Sequence, residues 1–280
     1  MARSVLLATE LDRRTDRAMD RAVALASEWQ ARLVIAHAIE GSLEDWPRSR
    51  SKDPRAAAAD RIRRDLREPV PDELELVIER GDAVKLILDT IKRHHCPLVV
   101  TGVARVSPFG FASAGATVDA LARLSPVPVL AVKMRPNQPY RNVVVATDFS
   151  DASRDALVTA LEMFPAAEIT LFHAFHVVYE SFMDDKVAAR DAEERHADEK
   201  AREFLASTPI GDRKVEIRSV HGAPEHALRQ LVAAAGADLV VVGTRGRGLI
   251  GQLLLGSVAR TIVAEVPVDI LIASNRAMAS

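Results

Sequence analysis

"VVVATDFS", residues 143–150, repeats the stretch "VLLATELD" of residues 5–12, and this repetition decides the fold. Three further matched pairs follow in the same order: RLVIAHA (32–38) with EITLFHA (168–174), CPLVVTG (96–102) with ADLVVVG (237–243), and SPVPVLAV (125–132) with AEVPVDIL (264–271). Ordered self-similarity of this kind indicates two copies of one domain. We therefore predict domains at residues 1–136 and 139–280, separated near Pro136 and Pro139, which interrupt both helix and strand.

Within each copy, short β-branched runs alternate with amphipathic stretches. In the second copy the runs predict strands at residues 142–147, 168–173, 214–220, 238–243 and 266–273, with helical patterns such as SRDALVTALEMF and PEHALRQLVAAA between them. Apolar strands that alternate with helices form parallel sheets covered on both faces. We predict an α/β protein with two tandem doubly wound parallel five-stranded sheets of flavodoxin-like type, each with strand order 3-2-1-4-5.

The composition excludes several classes of function. The 280 residues are 48% hydrophobic and only 4% aromatic, and the formal net charge of −2 provides no basic excess for binding nucleic acid. Cys96 is the only cysteine, so an intrachain disulfide is impossible. No apolar run approaches the roughly 20 residues that cross a bilayer. We expect a cytoplasmic protein with neither nucleic acid nor membrane as a partner.

The glycine-rich stretch VVGTRGRGLIGQLLLGSVA, residues 241–259, follows the fourth strand of the second copy. It contains no lysine, which excludes a Walker A loop, and its formal G-x-G-x-x-G match is misplaced because that fingerprint belongs after a first strand. What remains is Gly243-x2-Gly246-x9-Gly256-Ser257. Backbone N–H groups at such glycines, and at the start of the helix after Gly256, suit a phosphate.

Together, the repeat, the ATD and LFHA stretches and the spacing G-x2-G-x9-G-S resemble the universal stress protein family in a tandem two-domain form. The resemblance covers nearly the whole chain. It implies an adenine nucleotide alpha hydrolase-like fold with ATP, accompanied or not by Mg²⁺, bound between the first and fourth strands. It also implies that Asp148 contacts the adenosine while the backbones of Ala146 and Ala174 flank the adenine. The ribose and phosphates are then held by Val242, Gly243, Gly246, Gly256, Ser257 and Val258.

The first copy departs from this pattern. It has Arg105 in place of Gly246, Ala116 in place of Ser257 and Glu10 in place of Asp148. Each change weakens a nucleotide site, although Arg105 could itself pair with a phosphate. We therefore predict one ATP per chain, in the second domain.

Several residues allow two interpretations. Asp148 could cap the next helix, but Ser150 and Asp151 are also available for that role. Arg245 could neutralise phosphate charge or remain solvated. His37 and His173 recur at matching strand ends, where a structural hydrogen bond is a simpler role than catalysis. Asp269 interrupts the last strand and could protect an exposed edge or form a salt bridge at a domain interface.

The adjacent residues His94, His95 and Cys96 suggest a metal site only if further ligands converge on them, and we expect none. The motif supplies a phosphate cradle but no evident catalytic base, so we predict at most a weak ATPase with no assigned catalytic residue. The leading hypothesis is a nucleotide-dependent regulatory or stress-response protein that forms homodimers and acts on an unknown protein partner. The alternatives are a nucleotide-free interaction scaffold and a binder of AMP or a cyclic nucleotide.

Overall fold

A computed structural model describes residues 4–11, 16–39, 53–67, 70–103, 115–177, 183–244 and 256–274. The chain divides into two compact units, Met1–Pro139 and Tyr140–Ser280. Within the described ranges, no helix combines the length and apolar character needed to cross a membrane.

The first unit alternates strands and helices. Its elements are β1 (Ser4–Ala8), α1 (Asp16–Glu28), β2 (Arg32–Ile39), α2 (Pro54–Asp65), β3 (Leu74–Arg80), α3 (Ala83–His94), β4 (Val99–Gly102), α4 (Ala116–Leu124) and β5 (Val129–Val132). The strands lie in the order β3-β2-β1-β4-β5, and each neighbouring pair is parallel. The predicted order 3-2-1-4-5 is confirmed.

The second unit repeats this plan. Its elements are β6 (Asn142–Ala146), α5 (Asp151–Met163), β7 (Glu168–Phe175), α6 (Lys186–Ala206), β8 (Val215–His221), α7 (Pro224–Ala235), β9 (Leu239–Gly243), α8 (Ser257–Glu265) and β10 (Asp269–Ala273). The order is β8-β7-β6-β9-β10, again with parallel pairs throughout. Counted within the unit, this is the same 3-2-1-4-5 arrangement.

The core explains why the strand sequences are apolar throughout. Every residue of β1 is buried, because in a doubly wound sheet helices cover both faces. Helix α3 buries Leu86, Ile87, Thr90 and Ile91, which recur at helical spacing on one side. Three of these, the two isoleucines and Leu86, belong to a cluster that includes residues of β1, β2 and β4. The hydrophobic pattern therefore sets both the elements and the faces that pack.

Local signals at helix ends also act as the sequence predicts. Pro224 occupies the first turn of α7, where its missing N–H leaves no hydrogen bond unmade. The preceding Gly222 has φ +128°, a backbone conformation that residues other than glycine rarely adopt. Its N–H donates to the Phe175 carbonyl oxygen at 2.9 Å. This turn directs the chain from β8 into α7.

Asp269 contradicts the expectation of an exposed, protected edge. Its side chain is fully buried, and the Tyr140 hydroxyl donates a hydrogen bond to its Oδ2 at 2.6 Å. The strand also begins at Asp269 and not at residue 266, because Pro267 cannot donate to a ladder. A buried carboxylate at the start of the strand is tolerated here because a hydroxyl donates to it.

Candidate functional site

The centre of the sheet in the second unit is a topological switch point. Strands β6 and β9 are neighbours, with Val145 opposite Val241, and the chain passes from β6 to β7 on one side of this pair and from β9 to β10 on the other. In α/β sheets of this kind, ligands bind beyond the carboxyl ends of the strands where the order reverses. The carboxyl ends of β9, β6 and β7 lie side by side at this edge.

This edge collects half of the predicted site residues. Ala146 ends β6 and Asp148 follows it, while Gly243 ends β9; all three are partly exposed. Val242 is buried in β9, and Ala174 lies near the end of β7. Parallel register therefore brings together residues that are almost a hundred positions apart in sequence.

The remaining predicted residues belong to the connection from β9 to β10. Gly256 is the N-cap of α8, Ser257 and Val258 form its first turn, and both of these side chains are exposed. Arg245 and Gly246 lie outside the described residues.

The turn after β6 holds Asp148 in a defined place. Thr147 is buried, and its N–H donates to the Phe172 carbonyl oxygen of β7 at 2.9 Å. Its Oγ1 accepts the N–H of Phe149 at 2.9 Å, and its hydroxyl shares a 2.8 Å hydrogen bond with that of Ser153 in α5. The turn is thus tied to both β7 and α5.

Asp148 is not the cap of α5. That position belongs to Ser150, whose Oγ accepts the N–H of Ser153 at 3.3 Å. Asp148 Oδ1 accepts the N–H of Ser150 at 3.1 Å, which orients the carboxylate at the start of the helix. A carboxylate at this position has further acceptor sites, since an ionised aspartate offers about four lone pairs.

The packing of the second unit by itself requires a glycine at residue 243. A Cβ built on Gly243 would lie 2.6 Å from the carbonyl oxygen of Ala152, in the first turn of α5, and 2.8 Å from its carbonyl carbon. Real side chains essentially never approach so closely, so the start of α5 can cross the end of β9 only over a glycine. The amino-acid sequence does not reveal this role, because no local pattern shows which helix crosses which strand.

The start of α8 has the chemistry of an anion site. Gly256 provides no side-chain hydrogen bond to the first turn, and that turn contains no acidic residue. The first N–H groups of a helix lack partners within the helix, and its dipole favours a negative charge there. Arg260, whose N–H donates to the Gly256 carbonyl oxygen at 2.9 Å, adds a positive side chain on this first turn.

The matching helix of the first unit has the opposite charge. Helix α4 also begins after a glycine without a side-chain cap, at Gly115, but its first turn carries Asp119. Glu10, the counterpart of Asp148, is exposed. Arg105 lies outside the described part of the chain. An acidic first turn disfavours a phosphate at this helix end.

Both histidines of the repeat have the same hydrogen bond. Nδ1 of His37 lies 2.9 Å from the Thr9 carbonyl oxygen, and Nδ1 of His173 lies 2.9 Å from that of Thr147. Because a carbonyl oxygen can only accept, Nδ1 carries the proton in both rings. The structural interpretation of these histidines is therefore confirmed.

The His94–His95–Cys96 stretch lies at the end of α3. His94 Nδ1 lies 3.3 Å from Glu75 Oε2, and His95 ends α3 in a left-handed conformation. Burial raises the pKa of the Cys96 thiol to about 11, so the thiolate that metals require is disfavoured. Within the described ranges, no three histidine, cysteine or acidic residues converge as metal ligands.

Comparison with known proteins agrees with this geometry. The sequence profile of the universal stress protein family matches residues 1–133 and again residues 139–274. A universal stress protein from Thermus aquaticus is 30% identical over 139 residues, which are 48% of this chain and 98% of the relative. The chain belongs to the universal stress protein family, in a tandem form with two family domains.

Solved structures show the same fold over the full chain. A protein of unknown function from Pseudomonas aeruginosa PAO1 has a TM-score of 0.71 at 18% identity, covering 99% of this chain and 94% of that one. A universal stress protein from Archaeoglobus fulgidus has a TM-score of 0.63 at 17% identity, with 98% of each chain covered. At these identities the likeness concerns the fold alone.

Proposed function

We propose that this chain binds one ATP in its second unit and acts in the cytoplasm as a nucleotide-dependent regulatory protein of the stress response. The observation that carries the proposal is the placement of Asp148 and Gly243 at the adjacent ends of β6 and β9. A carboxylate suits ribose hydroxyls, and the ends of these strands form the switch point at which such sheets bind ligands.

The start of α8 supports a phosphate-bearing ligand over a bare nucleoside. It combines an uncapped first turn, the exposed Ser257 hydroxyl and the positive Arg260. Backbone N–H groups, a hydroxyl and a cation together match the oxygens of a phosphate chain. Mg²⁺ would accompany those phosphates as it does in other ATP sites.

The first unit lacks the features of this phosphate site, which supports a single nucleotide site per chain. Its α4 begins with Ala116 and carries Asp119 where α8 has Ser257 and Arg260. The hydroxyl is lost and the charge is reversed, so a phosphate is disfavoured at this end of the first unit. We expect a stoichiometry of one nucleotide per chain.

The proposed role is binding and regulation, with at most slow hydrolysis. Rapid hydrolysis needs a positioned water and a residue to orient it beside the phosphates, and the motif supplies a cradle only. Bound nucleotide would change the surface presented at the crevice to an unknown protein partner. Association into homodimers belongs to the same proposal.

The test is to denature purified protein and to identify and quantify released nucleotide by chromatography and mass spectrometry. Wild type should release about one ATP per chain, and Gly246→Arg, which copies Arg105 of the first unit, should release none. The reciprocal Arg105→Gly is the matched control and should leave the yield unchanged. AMP or a cyclic nucleotide in the extract would replace ATP as the ligand, and a protein that neither carries nor binds nucleotide would be an interaction scaffold.

A further inference from the structure

His173 contacts the residues on both sides of Asp148. Its Nδ1 lies 2.9 Å from the carbonyl oxygen of Thr147, and its ring lies against Phe149 with centroids 4.3 Å apart and planes inclined by 37°. A single side chain of β7 thus holds the residue before Asp148 by a hydrogen bond and the residue after it by ring contact.

Phe149 needs such support because its backbone is strained. Its φ of 62° lies in the left-handed region, which a bulky residue adopts only when the surroundings impose it. Its N–H donates to Thr147 Oγ1, and its ring also lies 5.7 Å from that of Phe204 in α6. The turn after β6, strand β7 and helix α6 therefore all fix this one residue.

Phe204 is itself firmly placed. It is buried, and the guanidinium of Arg154 lies 4.7 Å from its ring centroid. Arg154 also donates to the hydroxyls of Ser207 and Thr208 just after α6, at 2.9 and 2.7 Å. The support behind Phe149 is consequently part of the packed unit and not a surface contact.

We infer that His173 and Phe149 are positioning residues that fix the Asp148 carboxylate for its ligand before the ligand arrives. This inference rests on the proposed function. A turn that is already ordered in the ligand-free protein loses no further conformational entropy when the ligand binds. The affinity is therefore higher than it would be for a flexible turn.

The first unit provides a natural comparison. Leu11 has φ 55° and donates its N–H to Thr9 Oγ1 at 3.1 Å, and His37 repeats the hydrogen bond to Thr9. The backbone turn and the histidine hydrogen bond are therefore common to both units. A leucine has no ring to stack on the histidine, so ring contact with the residue after the carboxylate belongs to the second unit.

The experiment follows from this comparison. Phe149→Leu copies the first unit, which shows that leucine accepts the same left-handed turn, so this variant is expected to fold. Equilibrium affinities for ATP and for adenosine would be measured in wild type, Phe149→Leu, Asp148→Asn and the double variant, with Phe149→Tyr as the ring-preserving rescue and Leu11→Phe as the control in the other unit.

We expect Phe149→Leu to weaken ATP and adenosine equally, by about fivefold, because Asp148 acts on the nucleoside part. In the Asp148→Asn background the same change should have less than about a twofold effect, as a double-mutant cycle requires of residues that act through one another. Phe149→Tyr should bind within about twofold of wild type, and Leu11→Phe should change nothing.

An equal loss in both backgrounds, or no loss at all, would overturn the inference while leaving the proposed function intact. If wild type binds neither ATP nor adenosine, the proposed function is wrong and this inference fails with it. Backbone amide exchange at residues 147–150 in the ligand-free proteins adds a direct check, since faster exchange in Phe149→Leu is expected and unchanged exchange would contradict the positioning role.

Discussion

Gly243 and Ala152 approach each other so closely that the space for a side chain at residue 243 is already taken by the Ala152 carbonyl group, 2.6 Å from where a Cβ would lie. The neighbour is backbone and cannot rotate away. We therefore predict that Gly243→Ala lowers the free energy of unfolding by about 1–3 kcal/mol even without any ligand, as overpacking does. Chemical denaturation of the ligand-free protein measures this.

The control for this prediction is Ala152→Gly. Removing the Ala152 side chain relieves the 3.2 Å contact with its Cβ but leaves the carbonyl oxygen at 2.6 Å, so the double variant should recover little of the Gly243→Ala loss. Recovery of stability in the double variant would show that the side chain, and not the backbone, fills the space.

The hydrogen bond between Tyr140 and Asp269 can also be tested by mutation. Tyr140→Phe removes the hydroxyl that donates to a fully buried carboxylate, and we expect a loss of about 1–3 kcal/mol. Asp269→Leu introduces the residue that the first copy has at Leu130. Combined with Tyr140→Phe it should recover part of the loss, because the buried carboxylate and the hydroxyl that donates to it are then removed together. A double variant less stable than Tyr140→Phe alone would contradict this account.

Arg260 should have effects of opposite sign on stability and on binding. A positive residue in the first turn opposes the helix dipole, so Arg260→Glu should stabilise the ligand-free protein by about 0.3–1 kcal/mol. The same change should weaken ATP binding about tenfold through repulsion of the phosphates, with adenosine affinity unchanged. Thermal denaturation and calorimetric titration give the two values.

Lys200→Glu provides the matched control for Arg260, because Lys200 is an exposed cation in the middle of α6 and the change in net charge is identical. It should affect ATP binding by less than about twofold at physiological salt. If Lys200→Glu weakens ATP binding as much as Arg260→Glu does, the effect is one of overall charge and not of the helix end.

Cys96 predicts a pH dependence of stability. Burial raises its folded-state pKa from 9.0 to about 11, so the unfolded chain releases this proton first. Stability from this group is complete below pH 9 and is lost as the pH rises towards 11. The unfolding free energy of wild type should therefore fall more steeply over this interval than that of Cys96→Val, which has no proton to lose. Parallel curves would place the thiol in a more polar setting than its burial indicates.

The fold could be predicted because it depends on signals that the sequence repeats. Four matched strand sequences specify two units, and uninterrupted apolar runs such as LVVV in β9 specify strands covered on both faces. Pro224 and Ser150 mark helix starts through chemistry that operates within a few residues. The strand order 3-2-1-4-5 was predicted from the flavodoxin-like arrangement that the alternation of strands and helices indicates.

The features that escaped prediction depend on contacts distant in the chain. Gly243 was predicted as a ribose and phosphate residue, and its packing role was missed because the 2.6 Å approach involves α5, which begins at Asp151 far away in the sequence. The sequence suggested that Asp269 protects an exposed edge or forms a salt bridge, since no local pattern reveals Tyr140 beside it. The left-handed Phe149 is equally invisible, because leucine occupies the same conformation in the first unit and neither residue favours it intrinsically.

Because Leu11 and Phe149 adopt the same left-handed turn, the second unit can serve as a template for substitutions in the first. The two turns share one backbone conformation, and only the second unit carries the nucleotide motif, so exchanging side chains in the first unit tests whether the site can be transplanted. Glu10→Asp, Leu11→Phe, Arg105→Gly, Ala116→Ser and Asp119→Arg would give the first unit the side chains of the second, in a unit that already has the histidine and the left-handed residue. A loss of binding has many causes, whereas a second nucleotide acquired in this way would have only one.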